Sequence, residues 1–319
     1  MTFQSTHRAL QSEPRNARNA CCEERIEAPT SETANACGNK NRNKNDNECR
    51  NRCGNGSDSM HDTAADLQTH TIDTASGQFA PASVSEERVK CIFSNIARKY
   101  GLFNTCSSFG TYRLWLKALV DYAPITHADA VLDIAGGTGD VSFCVARKKK
   151  PACIVCSDLV PEMLAVAKER YQRHYSNLAP IDFQVVDAQH MPFDDASFDC
   201  VTVAYGIRNM PDRKRALQEI RRVLKPGGAC VCLEFSHPHN KLWRVLYEFY
   251  LRHNIPLWGK FITGDRDGFV YLAQSIHAFP GQKEFAQLFE ESGFKDVTWK
   301  NCAGGIAAIH RAFKPHEEA

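Results

Sequence analysis

Between residues 130 and 235 the chain alternates short β-branched runs with stretches of helical period, and that order leaves few folds open to it. Ala130–Ile134 reads as a strand and Asp140–Lys148 as a helix. Residues 152–157 read as a strand, and Pro161–His174 as a helix opened by Pro161, a residue suited to a first helical turn. Strands are expected over 181–186 and 199–204, a helix over 212–224, and a strand over 229–235. Lys225-Pro226-Gly227-Gly228 is expected to form a turn that stops the helix before it. A β-α-β-α-β order implies a doubly wound, mostly parallel sheet covered by helices on both faces. Two late runs, 297–300 and 306–313, would add an antiparallel edge. Upstream, Val89, Ile92, Phe93, Ile96 and Tyr100 fall at helical spacing, and a further helix is expected over 113–122. Residues 240–274 are apolar without being strand-like. Leu242, Val245, Leu246, Phe249 and Tyr250 share one helical face, with Arg244, Glu248 and Arg252 on the other, as in a packed amphipathic helix or a lid.

The first 85 residues differ in kind. Asn39, Asn41, Asn43, Asn45 and Asn47 alternate with polar residues, and large apolar side chains are almost absent between Ala28 and Ser59. Such a stretch cannot bury enough apolar surface to offset its ordering entropy. Residues 1–85 are therefore expected to form a disordered tail, and residues 86–319 the folded domain. Over the 319 residues, 39 Lys and Arg nearly balance 37 Asp and Glu, which removes the electrostatic case for nucleic acid. No apolar run approaches the ~18 residues of a membrane span. An apolar signal core is missing at the N-terminus, and Glu13, Glu23, Glu24 and Glu27 argue against a transit peptide.

The chain has 14 cysteines, many alternating with apolar residues as in Cys230-Val231-Cys232-Leu233. They read as small buried hydrophobes with free thiols in a reducing, cytoplasmic compartment, Cys91 among them. Cys153-x-x-Cys156 sits inside a strand run rather than at a strand-to-helix turn, so a redox role is not expected. Cys37, Cys49, Cys53 and His61 match no zinc spacing, and no metal site is expected.

Chemistry enters at Val131-Leu132-Asp133-Ile134-Ala135-Gly136-Gly137-Thr138-Gly139-Asp140. This segment closes a strand and opens a helix. Glycines there admit a ligand close to the backbone, and the helix N-terminus offers N–H groups to an anionic group. Asp158, at the end of the next strand, has the spacing of an acid that accepts hydrogen bonds from two ribose hydroxyls. Nicotinamide and S-adenosylmethionine enzymes share that device. The turn is not G-x-G-x-x-G. Asp133, Ala135, Gly137 and Gly139 alternate instead, which resembles the D-x-G-x-G-x-G of class I S-adenosylmethionine methyltransferases with Ala for the first Gly. Asp187 and Ala188, after the third strand, occupy the position that meets adenine in that superfamily. Met191-Pro192-Phe193-Asp194-Asp195 and Leu224-Lys225-Pro226-Gly227-Gly228 resemble its strand-flanking punctuation.

The likeness narrows further along the chain. Ala204-Tyr205-Gly206-Ile207-Arg208-Asn209 resembles the F-G-L-R-N of the ubiquinone/menaquinone biosynthesis C-methyltransferases. Phe109-Gly110-Thr111-Tyr112-Arg113-Leu114-Trp115 resembles their S-x-G-x-H-R-x-W, Tyr271-Leu272-Ala273-Gln274-Ser275-Ile276 their Y-L-x-E-S-I, and the run from Gly304 to Arg311 their closing G-x-x-A-x-H-R. The resemblance spans residues 89–314. It implies a Rossmann-like class I fold with a helical lid, S-adenosylmethionine as cofactor, and C-methylation of a prenylated quinol, demethylmenaquinol to menaquinol being favoured. Asp133, Gly137, Thr138, Gly139, Asp158, Asp187, Ala188 and Ala204 would hold the cofactor. Arg208, Asn209, Tyr271 and His310 would serve catalysis. The implied partners are the prenylated quinol, a peripheral contact with the inner face of the membrane, and a second copy of the chain as a homodimer. The sequence departs from the family at Tyr100-Gly101-Leu102-Phe103-Asn104-Thr105, where two acids of Y-D-x-M-N-D are missing, at Tyr112, which replaces a His, and at Ala204, which replaces a Ser. An O- or N-methyltransferase of another small molecule, or an inactive scaffold that binds S-adenosylmethionine, are the rival readings.

Overall fold

The computed structural model describes residues 86–264 and 267–316. The expected Asn-rich tail lies outside the described residues. Seven strands form one sheet in the order β3-β2-β1-β4-β5-β7-β6. They are β1 Ala130–Ile134, β2 Cys153–Asp158, β3 Ile181–Val185, β4 Phe198–Ala204, β5 Leu224–Phe235, β6 Lys295–Cys302 and β7 Ala307–Phe313. The first five are parallel to one another, and β7 runs antiparallel to both β5 and β6. Every residue of β1 and β2 is buried, as the near-continuous apolar runs of a sheet covered on both faces require.

Ten helices surround the sheet among the described residues: α1 Glu86–Ile96, α2 Tyr100–Ser107, α3 Tyr112–Tyr122, α4 Asp140–Lys148, α5 Pro161–His174, α6 Arg213–Val223, α7 Lys241–Phe249, α8 Ile255–Ile262, α9 Asp267–His277 and α10 Gln282–Glu291. Alternate residues of each strand feed two cores. Leu132, Val155, Val201 and Cys230 pack with Leu217, Ile220, Phe285 and Phe289 of α6 and α10. Val131, Ile154, Cys200 and Val231 pack with Leu116, Leu119, Val141 and Val145 of α3 and α4. A third, separate cluster joins Ile96, Phe103, Tyr247, Leu251, Ile255 and Phe269 from α1, α2 and the α7–α9 region. Within that region a five-residue π-helical segment, Tyr250–Asn254, links α7 to α8.

Two local expectations are corrected. Lys225-Pro226-Gly227-Gly228 does not form a free turn. It is the start of β5, whose register against β4 shifts between Phe198 and Cys200, and Gly227 N–H and Gly228 C=O bond to Lys314 at 2.9 Å each. Cys91 is disulfide-bonded rather than a free thiol. Cys156, Cys200, Cys230 and Cys232 are buried free thiols, as expected, and burial pushes each of them up in pKa.

Candidate functional site

The chain leaves β1 through Ala135, Gly136, Gly137 and Thr138, and Gly139 opens α4. Ala135, Gly137 and Gly139 take φ of 52°, 56° and 87°. Left-handed backbone costs Ala more than Gly, so something must hold Ala135 there. Its Cβ lies where Gly206 leaves room: a Cβ on Gly206 would sit 2.3 Å from it. The first turn and the loop after β4 are thus fitted to each other, which accounts for an alanine in the first glycine position. Gly136 N–H donates to Ser157 C=O of β2 at 2.8 Å, fixing the turn against the sheet.

Asp133 was expected among the cofactor contacts, and its geometry corrects that expectation. The carboxylate is buried and is not part of the wall of the cleft. Ser142 donates to its Oδ2 at 2.6 Å and Thr202 to its Oδ1 at 2.8 Å. It ties β1, β4 and α4 together beneath the turn. Burial raises its pKa to about 6 against the pull of those two hydroxyls. Gly139 is likewise the N-cap of α4 and not part of the cavity wall.

Beyond the turn lies a cleft at the carboxyl ends of β1 to β4, where ligands settle in open α/β sheets. Gly137, Thr138, Asp158, Asp187, Ala188 and Ala204 all line it. Asp158 accepts from Gly137 N–H at 2.8 Å and from Val160 N–H at 2.9 Å. Burial outweighs those bonds and raises its pKa to about 6. Each oxygen keeps a lone pair for a further donor. Asp187 is the contrary case. Burial acts to raise it, but His190 at 2.9 Å and Gln189 N–H at 2.9 Å hold it below the usual carboxylate range. Asp140 and Arg170, neither singled out in the sequence, brace the turn: Arg170 reaches Thr138 C=O at 2.6 Å and Asp140 at 2.8 Å. The lining fits an adenosine group, with left-handed glycine at the turn and two carboxylates, Asp158 and Asp187, able to accept from hydroxyl or amino groups.

A second cavity of about 480 Å³ adjoins the first. Phe93, Tyr100, Asn104, Tyr112, Tyr205 and Asn209 line both. Its remaining wall is largely apolar, with Ile96, Phe103, Trp115, Phe235, Leu251 and Phe269. Arg208, Asn209 and Tyr271, three of the expected catalytic residues, meet here. Arg208 follows β4 in a short 3₁₀ turn and is buried. Its guanidinium pairs with Glu234 at 2.9 Å, bonds to Tyr205 C=O, and stacks 5.5 Å from the Phe235 ring centre. Tyr271 donates to Asn209 Oδ1 at 3.2 Å.

His310, the fourth, is corrected. It lines neither cavity. It is buried on β7 among Phe285, Phe289 and Trp299, with Nε2 bonded to Gln282 C=O at 2.9 Å. Burial lowers its pKa to about 4, so it is a neutral core histidine at pH 7. Glu234 and Tyr247, missed in the sequence, hold polar positions beside the cavity. The signal for Glu234 was available, since a lone acid closing an apolar strand needs a buried partner.

A sheet with one reversed strand, a glycine turn after β1 and an acid at the end of β2 define a class I methyltransferase that takes S-adenosylmethionine. Residues 82–314 match the model of the ubiE/COQ5 methyltransferase family. The chain is 41% identical over 237 residues to the Rickettsia bellii ubiquinone/menaquinone biosynthesis C-methyltransferase UbiE, covering 73% of this chain and 95% of that protein. It is 39% identical over 241 residues to the protein of the same name from Cellvibrio japonicus, covering 75% and 96%. Among solved structures, phosphoethanolamine N-methyltransferase 2 of Haemonchus contortus superposes with a TM-score of 0.52 at 19% identity, over 74% of this chain and 62% of that one. The chain belongs to the ubiE/COQ5 methyltransferase family.

Proposed function

We propose that the chain methylates a ring carbon of a prenylated quinol, with the cofactor held in the glycine-turn cleft and the quinol in the apolar cavity. The observation that carries this reading is the cavity itself: a large apolar chamber with a few polar side chains, sharing a wall with the cofactor cleft. Such a chamber suits a polyprenyl chain and one oxygenated ring. Thr138, Asp158, Asp187, Ala188 and Ala204 would line the cofactor, Asp158 accepting from its ribose hydroxyls. S-adenosylmethionine, when bound, supplies a methyl group made electrophilic by the adjacent sulfonium.

The residues of the chamber must then make the ring carbon nucleophilic. A phenol ionises near ~10, judged by tyrosine. Arg208 cannot remove the proton, because guanidinium stays charged. Its Nε–H, buried and without a partner among the described residues, is suited to an oxyanion developing on the ring. Asn209, oriented by Tyr271, lies on the wall between cleft and chamber and is placed to hold the same oxygen or a water beside it. The aromatic walls would limit water around the ring and favour an in-line approach to the methyl group.

A quinol of this kind resides in a bilayer, so the enzyme must reach one. No described helix is long and apolar enough to cross a membrane. Leu242, Val245, Leu246 and Phe249 of α7 are exposed, and Trp243 and Leu246 also line the chamber. This face would lie on the bilayer at the chamber's mouth. The test is turnover of labelled S-adenosylmethionine by the purified chain on demethylmenaquinol and on a demethylated benzoquinol. Ring C-methyl product from either supports the reading and names the ring. O-methyl product, or cofactor binding without turnover of either quinol, overturns it.

A further inference from the structure

The chamber is apolar, yet it gathers an unusual share of unsatisfied polar atoms. Among the described residues, Tyr205 Oη, Arg208 Nε and Tyr247 Oη are buried without a hydrogen-bond partner, and all three residues line this one cavity. A buried polar atom left unpaired costs about 1–3 kcal/mol, and native proteins pair nearly all of them. Three around one chamber mark where a ligand completes the set.

Two other phenols of the chamber are engaged. Tyr250 donates to Ser107 C=O. Tyr271 donates to Asn209. Tyr100 and Tyr112 are not among the buried hydroxyls left without a partner. That leaves Tyr205 and Tyr247. Tyr205 also walls the cofactor cleft, whereas Tyr247 lines the chamber alone. Tyr247 is more than nine-tenths buried and lies within the electrostatic reach of Arg208 and Glu234. It stands on α7 one turn before the π-helical segment, a helix irregularity that recurs at functional sites.

Resting on the quinol reading above, we infer that Tyr247 is a positioning residue for the acceptor: its hydroxyl donates a hydrogen bond to an oxygen on the ring and sets which ring carbon faces the cofactor cleft. In this assignment Tyr247 reads the second ring oxygen and Arg208 the one that ionises, so that the pair would fix both place and rotation of the ring.

The test compares the full chain with Tyr247→Phe on a soluble short-chain quinol and on its analogue with the second ring oxygen replaced by hydrogen. Expected for Tyr247→Phe are an unchanged S-adenosylmethionine Kd, a melting temperature without quinol equal to or above that of the parent, and kcat/KM on the quinol lower by about tenfold, the worth of one neutral hydrogen bond. On the analogue the two proteins should be equal. Equal kcat/KM on the quinol itself, or a lowered melting temperature without ligand, overturns the inference, the latter because it would mean the hydroxyl serves the fold. If the parent turns over neither quinol nor analogue, the quinol reading fails and this inference falls with it. If the parent is active and only Tyr247→Phe behaves otherwise than stated, the reading stands alone.

Discussion

The cofactor cleft and the acceptor chamber share a wall and are built in opposite ways. The cleft is made by chain turns at the ends of adjacent parallel strands, so backbone groups and two carboxylates converge within a few residues of each turn. The chamber is made by side chains of α1, α2 and the α7–α9 region, elements far apart in sequence that meet only through packing. In the cleft, the carboxylates are paired before a ligand arrives: Asp158 and Asp187 each hold at least two donors. In the chamber, Tyr205 Oη, Arg208 Nε and Tyr247 Oη are not. A rigid, prepaired cleft serves a fixed nucleoside. An incompletely paired chamber leaves part of its bonding to the acceptor.

The largest effect should come from the buried ion pair beside the chamber. Arg208 and Glu234 side chains are 2% and 1% exposed. Arg208→Met strands the buried Glu234 carboxylate beside the chamber, and removing one partner of such a pair costs about 3–5 kcal/mol. Urea unfolding should record that loss, while Arg208→Met/Glu234→Leu should recover most of it without recovering turnover. Recovery of turnover in the double variant would remove Arg208 from the chemistry. The next effect belongs to neither region. His310 titrates near 4 in the fold against 6.5 free. The unfolded chain therefore binds the extra proton between those values, and stability present above pH 6.5 is lost as pH falls towards 4, by about 3 kcal/mol. Asp133 and Asp158 slope the other way. Their fold-bound pKa values near 6 exceed the free 3.8, so the native state takes up protons first and gains on acidification. The difference between the parent chain and His310→Gln isolates the histidine, and that difference should shrink from pH 7 to pH 5. If it stays constant, His310 is not a buried neutral group.

These two regions were unequally legible in the sequence. Thr138, Asp158, Asp187, Ala188 and Ala204 could be placed in the cleft because a turn at a strand end is a local event, and spacing along the chain measures distance in space. Asp133 shows the limit of that logic. Its backbone belongs to the motif, but its side chain turns beneath it to Ser142 and Thr202, a direction that spacing does not encode. Arg208, Asn209 and Tyr271 could be named by resemblance, and Glu234 by the buried partner that a lone acid closing an apolar strand requires, yet Tyr247 could not, because its significance depends on which helix packs over which strand end. His310 misled for the same reason: a titratable residue near a motif is not thereby in a cavity. The sheet was readable throughout, apart from the start of β5, where a Pro-Gly-Gly run pairs through a register shift instead of turning away.

A smaller effect tests the prepaired character of the cleft. Asp158 should hold the ribose hydroxyls as a carboxylate, and its pKa before the cofactor arrives is about 6. Above pH 6 the acceptor is present. Below it, protonation converts one oxygen to a donor, and S-adenosylmethionine affinity should fall by up to about tenfold per pH unit. Asp158→Asn should weaken binding by about 2 kcal/mol, the scale of a hydrogen bond to a charged group, and should flatten the pH dependence. Calorimetry at pH 5, 6 and 7.5 reads both. A pH dependence that persists in Asp158→Asn would assign it to another group.

The smallest effect on the fold should accompany a large effect on access. Leu242, Val245 and Phe249 are 71%, 62% and 60% exposed, and the exposed Lys241, Arg244, Arg252 and Lys260 lie along the same segment. An apolar face beside basic residues is the pattern of a helix that rests on an anionic bilayer surface. Because these side chains bury little against the domain, Val245→Glu/Phe249→Glu should shift stability by no more than about 0.5 kcal/mol per site. S-adenosylmethionine affinity, set in the cleft, should be unchanged, and turnover of a soluble short-chain quinol should match the parent. Turnover of quinol embedded in vesicles containing acidic lipid should fall, and flotation of the protein with those vesicles should fall in parallel. Unaltered vesicle turnover would place the chamber's entrance elsewhere, whereas loss of both soluble and vesicle turnover would mean that the face shapes the chamber and not its approach to lipid.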